Sequence, residues 1–232
     1  MHKLFCIIGR TGSGKSTLVK KIANELGLKI LKSYTTRSMR ESESIENSDH
    51  MFISPDKVEK YRDDMVAYTE RVGYCSFATK QQIMNSDLYI INPSGYKELL
   101  KSTEKMDVEL IPILITTPLI NIMSRTQNVR DPETWMRNYL DENNEFTIFE
   151  HSNDAKYVIE NNKDIYYAYE ILELIINQEL GKIIDIPDML NEFQDSILDN
   201  LRMINPMDEN SVKKTAYYIT ETLKNVMREN TY

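Results

Sequence analysis

One stretch near the N-terminus constrains the fold more than any other part of the chain: a glycine-rich loop that directly follows an apolar run. The run, residues 3–8 (KLFCII), is typical of a strand buried on both faces of a parallel sheet. Three of the chain's seven glycines lie between residues 9 and 14, and glycines let a backbone curl until several N–H groups point at one anion. The loop fits the pattern G-x-x-x-x-G-K-[ST] at every fixed position. We therefore predict a phosphate-binding loop that leads from a buried strand into a helix.

The side chains at the end of this loop indicate what it binds. Lys15 offers a mobile positive charge to the β- and γ-phosphates of a nucleoside triphosphate, and the Ser16 hydroxyl is a hard oxygen ligand for Mg²⁺. The N-terminus of the following helix adds a positive field. We predict ATP and Mg²⁺ as cofactors, Lys15 as a catalytic residue and Ser16 as a metal ligand. The residues predicted to bind the triphosphate are Gly9, Arg10, Thr11, Gly12, Ser13, Gly14, Lys15, Ser16 and Thr17.

Strands and helices alternate along the rest of the chain, which is the pattern of a doubly wound α/β fold with a parallel sheet. Further strands are predicted at residues 28–33, 87–92, 108–115 and 157–159, and a hairpin at 66–79. Pro112 predicts that its strand is irregular or at an edge. Helices are predicted at 15–26, 94–100 (capped by Ser94), 118–149 with a break near 131–132, and 165–180. The apolar pattern of residues 181–232 predicts a C-terminal helical extension.

Overall charge narrows the range of partners. The net charge is −8 and the pI about 5.1, and such a surface repels phosphate backbones, so non-specific nucleic-acid binding is not expected.

We expect no membrane span, because no apolar stretch approaches the roughly 18 residues that one needs. With two cysteines, Cys6 and Cys75, and no disulfide framework, we expect a reducing cytoplasm.

A second anion site is indicated after the second predicted strand, where two arginines three residues apart lie among hydroxyl side chains. Here the chain resembles the guanylate kinase family, over roughly residues 1–180. The family's S-x-T-T-R-x-x-R-x-x-E is met by Ser33, Thr35, Thr36, Arg37, Arg40 and Glu43. Its D-Y-x-F is met by Asp49, His50 and Phe52, with histidine in place of tyrosine, and its Y-V-I-x-N by residues 157–161.

The resemblance implies a P-loop NTPase fold with insertions that bind a nucleoside monophosphate and close as a lid. It places a kinase domain at residues 1–180, an acceptor-binding region at about 34–80, a lid at about 122–145 and a separate extension at 181–232. It further implies that Ser33, Arg37, Arg40 and His50 hold the acceptor's phosphate. Asn161 is expected near the adenine of the donor.

The chain departs from the family where the guanine base is read. A family glutamate falls on Ala67, and Asn92 stands where an aspartate reads guanine. Glu70 could replace the missing glutamate only if its strand were shifted, and Phe77 or Ser76 takes the place of a phosphate-binding tyrosine. Ile90 replaces another carboxylate. Because Asn92 can donate as well as accept, we predict altered or relaxed acceptor specificity, with drift in the alignment as the alternative. The predicted substrate-binding residues here are Glu70, Phe77 and Asn92.

Arg125, Arg130 and Arg137 lie in the predicted lid. A kinase must neutralise the phosphoryl group in transfer and exclude water, and arginines on a closing segment do both. We predict these three as catalytic residues, with a charged, ion-paired helix surface as the alternative.

Three functions fit the sequence. The first is ATP-dependent phosphorylation of a nucleoside monophosphate. The second is a kinase for another small phosphorylated acceptor, such as a ribose bisphosphate-type sugar, which the missing base readers favour. The third is a nucleotide-binding module of guanylate-kinase-like type without catalysis, against which the intact Lys15 and Ser16 argue.

Overall fold

The computed structural model describes residues 1–39, 43–46, 48–71, 73–126, 131–162 and 165–182. Residues 1–176 form one compact unit. The predicted helices beyond residue 182 lie outside the described residues. The elements are β1 (His2–Ile8), α1 (Lys15–Leu26), β2 (Ile30–Leu31), β3 (Ser33–Thr35), β4 (His50–Phe52), a 3₁₀ helix (Pro55–Asp64), β5 (Met65–Arg71), β6 (Tyr74–Thr79), α2 (Lys80–Met84), β7 (Leu88–Ile90), α3 (Pro93–Thr103), β8 (Val108–Thr116), α4 (Leu119–Thr126), α5 (Pro132–Glu150), β9 (Tyr157–Glu160) and α6 (Ile165–Glu179).

A parallel sheet in the order β2-β7-β1-β8-β9 forms the centre of the fold. The apolar run of β1 is buried on both faces, as predicted. Phe5 and Ile7 pack with α1 and α6 on one face, whereas Leu4 and Ile8 pack with α3 and α5 on the other. The predicted α/β class, a parallel sheet flanked by helices, is therefore confirmed. The described helices include none that is long and apolar enough to cross a membrane.

The prediction of one strand over residues 28–33 is wrong, because the chain changes sheets there. Leu31 pairs with Tyr89 in the parallel sheet, whereas Ser33 pairs with His50 in a second sheet of order β4-β3-β6-β5. This smaller sheet stands beside the carboxyl ends of the parallel strands. It brings the predicted acceptor-binding region to the edge of the parallel sheet at which the glycine loop begins.

Two prolines lie where their missing N–H groups are tolerated. Pro93 is the first residue of α3, whose cap is Asn92 and not Ser94 as predicted: the Asn92 side chain accepts from the Gly95 N–H at 3.1 Å. Pro112 lies in an inner strand, contrary to the edge prediction. Its carbonyl accepts from the Lys156 N–H, so its imino side faces the position just before β9 begins. The β1 ladder therefore loses no donor at Pro112.

The hairpin predicted at 66–79 is confirmed as β5 and β6, but β5 contains a bulge. Val66 pairs with Ala78 and Thr69 with Ser76, so the register shifts by one residue between them. Ala67 lies in the bulge at φ 53° and is 3% exposed. A non-glycine residue in this left-handed region is strained by about 1 kcal/mol or more.

Ala67 offers a stability prediction with a matched pair of variants. We expect Ala67→Val to lower the free energy of unfolding by about 2 kcal/mol, because a β-branched side chain disfavours positive φ and would overpack a buried site. We expect Ala67→Gly to change it by less than about 1 kcal/mol, since relief of strain offsets the lost methyl group. Urea unfolding of both variants measures the difference. A valine variant as stable as the glycine variant would show that position 67 is an ordinary strand residue.

Candidate active site

The glycine loop joins the end of β1 to α1, and none of its three glycines has room for a side chain. A Cβ on Gly9 would lie 2.5 Å from the Ile115 carbonyl oxygen, and one on Gly14 would lie 2.4 Å from Asn161 Nδ2. Gly14 also adopts φ 90°, which L-residues disfavour. The loop is therefore packed tightly against the ends of β8 and β9. The strand, loop and helix follow in the predicted order.

Lys15 and Ser16 both lie at a cavity that opens over this loop. Lys15 Nζ donates to the Arg10 carbonyl oxygen at 2.7 Å, so the ammonium group folds over the loop. The Ser16 hydroxyl donates to Asp49 Oδ2 at 2.5 Å. A positive charge, a hydroxyl and a carboxylate therefore meet at the N-terminus of α1, where the helix dipole favours anions.

Arg10 points its side chain away from the cavity and towards α5. Its guanidinium forms two 2.8 Å hydrogen bonds with the Glu150 carboxylate and another with Asn143 Oδ1. The Glu150 hydrogen bond is the main cause that raises the pKa of Arg10. Ser13 is fully buried, and its carbonyl accepts from Asn161. The side chains of Arg10 and Ser13 are therefore engaged within the protein, and neither residue is among those that line the cavity.

The cavity has a volume of about 760 Å³ and extends from the glycine loop to the second sheet. It is a single concave space, and its volume lies within the roughly 300–1,000 Å³ that is typical of small-molecule sites. The predicted site residues that line it are Gly9, Thr11, Gly12, Gly14, Lys15, Ser16, Thr17, Ser33, Arg37, His50, Asn92, Arg125 and Asn161.

At the end of the cavity beside the second sheet, hydroxyl, imidazole and guanidinium groups converge. Ser33 Oγ lies 2.9 Å from His50 Nδ1, and these two residues pair across β3 and β4. The Arg37 guanidinium forms two 2.7 Å hydrogen bonds with Glu43 and lies over the Phe52 ring. Arg40 lies outside the described residues. This end can hold a small anion such as a phosphate.

Two predicted substrate-binding residues on the hairpin do not reach the cavity. Phe77 is fully buried with its ring tilted against those of Tyr34 and Tyr61, and its neighbour Ser76 lines the cavity instead. Glu70 is exposed on the face of β5 opposite to Thr69, which lines the cavity. The register shift that Glu70 would need does occur, as the bulge at Ala67, but Thr69 is the residue that faces the cavity. Successive strand residues face opposite sides, so Glu70 turns outward.

Two carboxylates from α5 contact Arg71 of the hairpin, and one of them also contacts the glycine loop. Glu145 accepts from Arg71 at 2.8 Å and lies 3.5 Å from Asn92 Nδ2, while Glu142 accepts from Arg71 at 3.3 Å and from the Thr11 hydroxyl. Glu142 and Arg71 line the cavity. Asn92 is therefore occupied in capping α3 and contacting α5. Sequence reasoning missed Arg71 and Glu142, because no local pattern marks their pairing.

The predicted lid arginines differ in their positions. Arg125, at the end of α4, lines the cavity and donates to the Asn161 carbonyl oxygen at 3.0 Å. Arg137 is exposed on α5 and does not line the cavity. Arg130 lies outside the described residues. Arg125 alone of the three is described at the glycine-loop end.

Asn161 links the loop to the end of β9. Its Nδ2 donates to the Ser13 carbonyl oxygen at 2.7 Å, and its side chain is buried. Its Oδ1 has no hydrogen-bond partner, although buried acceptors are normally satisfied. Asn161 also lines the cavity, so it connects the glycine loop, the end of β9 and the cavity wall.

Comparison with known proteins identifies the fold. No protein-family model and no curated protein matches the sequence. Among solved structures, the chain is similar to the crystal structure of guanylate kinase from Anaplasma phagocytophilum, with 17% sequence identity and a TM-score of 0.53. The match covers 77% of this chain and 86% of that chain. The fold is therefore guanylate-kinase-like.

Proposed function

We propose that the protein transfers the γ-phosphoryl group of ATP to the phosphate of a nucleoside monophosphate. One observation carries this proposal: a glycine loop with Lys15 and Ser16 opens onto one cavity whose opposite end is lined by Ser33, Arg37 and His50. Two anion sites that share one cavity can bring two phosphates into contact. The guanylate-kinase-like fold supports the same proposal.

The reaction needs no protein nucleophile. An oxygen of the acceptor phosphate attacks the γ-phosphorus, the bond from that phosphorus to the β–γ bridging oxygen breaks, and ADP leaves with the electron pair. Lys15 neutralises charge on the β- and γ-phosphates, and Arg125, which lines the cavity from the end of α4, does the same in this proposal. Arg37 and His50 hold the acceptor for in-line attack.

Mg²⁺ is the metal that the donor set fits. The described residues contain no group of three or more histidine, cysteine or carboxylate side chains that could hold a metal ion. Mg²⁺ does not need such a group, because it binds through one or two protein oxygens together with phosphates and water. Ser16 would hold the ion, which when bound withdraws charge from the phosphate oxygens.

The residues at the acceptor end of the cavity bear on which base the acceptor carries. Carboxylates suited to the N–H edge of guanine are absent at Ala67 and Asn92, while Thr69, Ser76 and Arg71 line that end. We propose GMP or dGMP, or a nucleotide of altered base specificity, as the acceptor. A phosphorylated sugar of ribose bisphosphate type is the second candidate, favoured by the same missing carboxylates.

A coupled ADP-release assay with GMP, dGMP, AMP, UMP, CMP, dTMP and ribose phosphates tests the proposal. Turnover with a nucleoside monophosphate is the expected result, and strong turnover with GMP alone would refute altered specificity. Turnover with sugar phosphates alone would establish the second candidate. Tight ATP binding without turnover of any acceptor would point to a non-catalytic nucleotide-binding module.

Arg37 gives a prediction about acceptor binding. We expect Arg37→Ala to raise the acceptor KM at least about tenfold, because it removes a charge-assisted hydrogen bond and leaves the Glu43 carboxylate facing the phosphate. The KM for ATP should stay within about twofold, since Arg37 lies at the other end of the cavity. Steady-state kinetics with the best acceptor of the panel measures both.

The matched control is Arg62→Ala, which removes an exposed arginine from an ion pair with Glu59 on the 3₁₀ helix. An acceptor KM that is unchanged in Arg37→Ala, or raised equally in Arg62→Ala, would remove Arg37 from the acceptor site.

A further inference from the structure

Asp49 occupies a position between the two anion sites that the proposed function does not yet explain. Its Oδ2 accepts from the Ser16 hydroxyl at 2.5 Å, and its Oδ1 lies 3.6 Å from Lys20 Nζ. The next residue, His50, begins β4 and pairs with Ser33. The carboxylate is thus held beside the glycine loop by a strand that belongs to the acceptor end.

The Asp49 carboxylate would repel a bound triphosphate unless a cation lay between them. A bound triphosphate would bring several negative charges close to Asp49, and like charges at short range repel. Lys20 offers weak compensation, since 48% of its side chain is exposed and the charge is screened by water. A divalent cation between the carboxylate and the phosphates would turn the repulsion into attraction.

The distance between the Ser16 and Asp49 oxygens agrees with two ligands of one metal ion. In octahedral Mg²⁺ sites the metal–oxygen distances are about 2.0–2.1 Å, so neighbouring ligand oxygens lie about 2.9 Å apart. The Ser16 and Asp49 oxygens are 2.5 Å apart. A separation of about 0.4 Å would therefore convert this hydrogen-bonded pair into two adjacent ligands.

The other carboxylates of the cavity are engaged elsewhere. Among the described residues that line it, Glu43 pairs with Arg37 and Glu142 pairs with Arg71. At the end of β7, where the resembling family has a carboxylate, the chain has Ile90, which also lines the cavity. Asp49 is thus the carboxylate that adjoins Ser16.

We propose that Asp49, together with Ser16, is a direct protein ligand of the Mg²⁺ that accompanies the donor nucleotide, an inference that rests on the proposed function. The carboxylate reaches the metal from the strand that also carries His50. Binding of the metal would therefore hold the acceptor end beside the glycine loop. Asp49 supplies a carboxylate at the metal, whereas position 90, where the resembling family has a carboxylate, is isoleucine.

Isothermal titration calorimetry with ADP tests this without any turnover. The readout is the ratio of the ADP dissociation constant measured in EDTA to that measured with Mg²⁺. We expect Asp49→Asn to lower this ratio at least about tenfold, because metal-assisted binding weakens while metal-free ADP meets less repulsion. Asp49→Glu, which keeps the charge, should retain part of the ratio.

Asp63→Asn is the matched control, because Asp63 is exposed on the 3₁₀ helix and its change removes the same charge outside the cavity. A ratio in Asp49→Asn equal to that of Asp63→Asn, with ADP still bound, would overturn the role of Asp49 and leave the proposed function standing. Failure of the unaltered protein to bind ADP under either condition would overturn both. If Asp49→Asn does not fold, Asp49→Ser replaces it as the neutral variant with the same criteria.

Discussion

Replacing Lys15 by alanine is expected to lower kcat/KM by about 1,000-fold or more, because it removes a positive charge that acts on the transferring phosphoryl group. The structure predicts little effect on folding. The Lys15 ammonium donates to the Arg10 carbonyl oxygen at the cavity wall, where water can replace it. The free energy of unfolding should therefore change by less than about 1 kcal/mol.

The coupled ADP-release assay and thermal unfolding measure the two effects separately. Lys21→Ala is the matched control, since Lys21 lies on the same helix but is ion-paired with Glu25 away from the cavity. It should retain near-normal kcat/KM. A Lys15→Ala protein that kept more than about a tenth of the activity would contradict the assigned catalytic role.

The local sequence pattern was sufficient to predict β1, the glycine loop and α1, which form the glycine-loop end of the cavity. The buried run of β1 and the glycines that follow are adjacent in sequence, and the helix end at Gly27 is a local signal too, with φ 67° and a hydrogen bond back to Ala23. Each of these features depends on neighbours a few residues away. The predicted strand, loop and helix are accordingly found at nearly the predicted bounds.

Pairing between distant strands was not predictable in the same way. A run of β-forming residues shows that a strand forms but not where its partner changes, so the switch of sheets between Leu31 and Ser33 was missed. The bulge at Ala67 likewise depends on how β5 meets β6, and it decides that Thr69 rather than Glu70 faces the cavity.

Contacts of charged side chains with residues distant in the sequence were the hardest to predict. Arg71 pairs with Glu142 and Glu145 from α5, and Ser16 with Asp49, although these partners lie 71, 74 and 33 residues apart in the chain. Charged side chains carry no periodicity that marks such pairs. Asp49 was present in a recognised motif, but only its contact with Ser16 suggests a role.

Gly14 is expected to be the most restrictive position of the loop. A methyl group there would lie 2.4 Å from Asn161 Nδ2, and the φ of 90° disfavours any L-side chain. Asn161 cannot retreat easily, because it is buried and donates to the Ser13 carbonyl oxygen. Gly14→Ala should therefore distort the loop and weaken ADP binding by about 100-fold or more, a change of about 2.7 kcal/mol.

Gly27→Ala separates this effect from the general strain of positive φ. Gly27 has φ 67°, but a Cβ there would meet no atom within 4 Å. We expect this variant to lose about 1 kcal/mol of stability and to bind ADP normally. Calorimetric titration with ADP and urea unfolding of both variants measure the contrast. Normal ADP binding by a folded Gly14→Ala protein would mean that the loop amides do not surround the phosphates, and the proposed phosphoryl transfer would lose its structural basis.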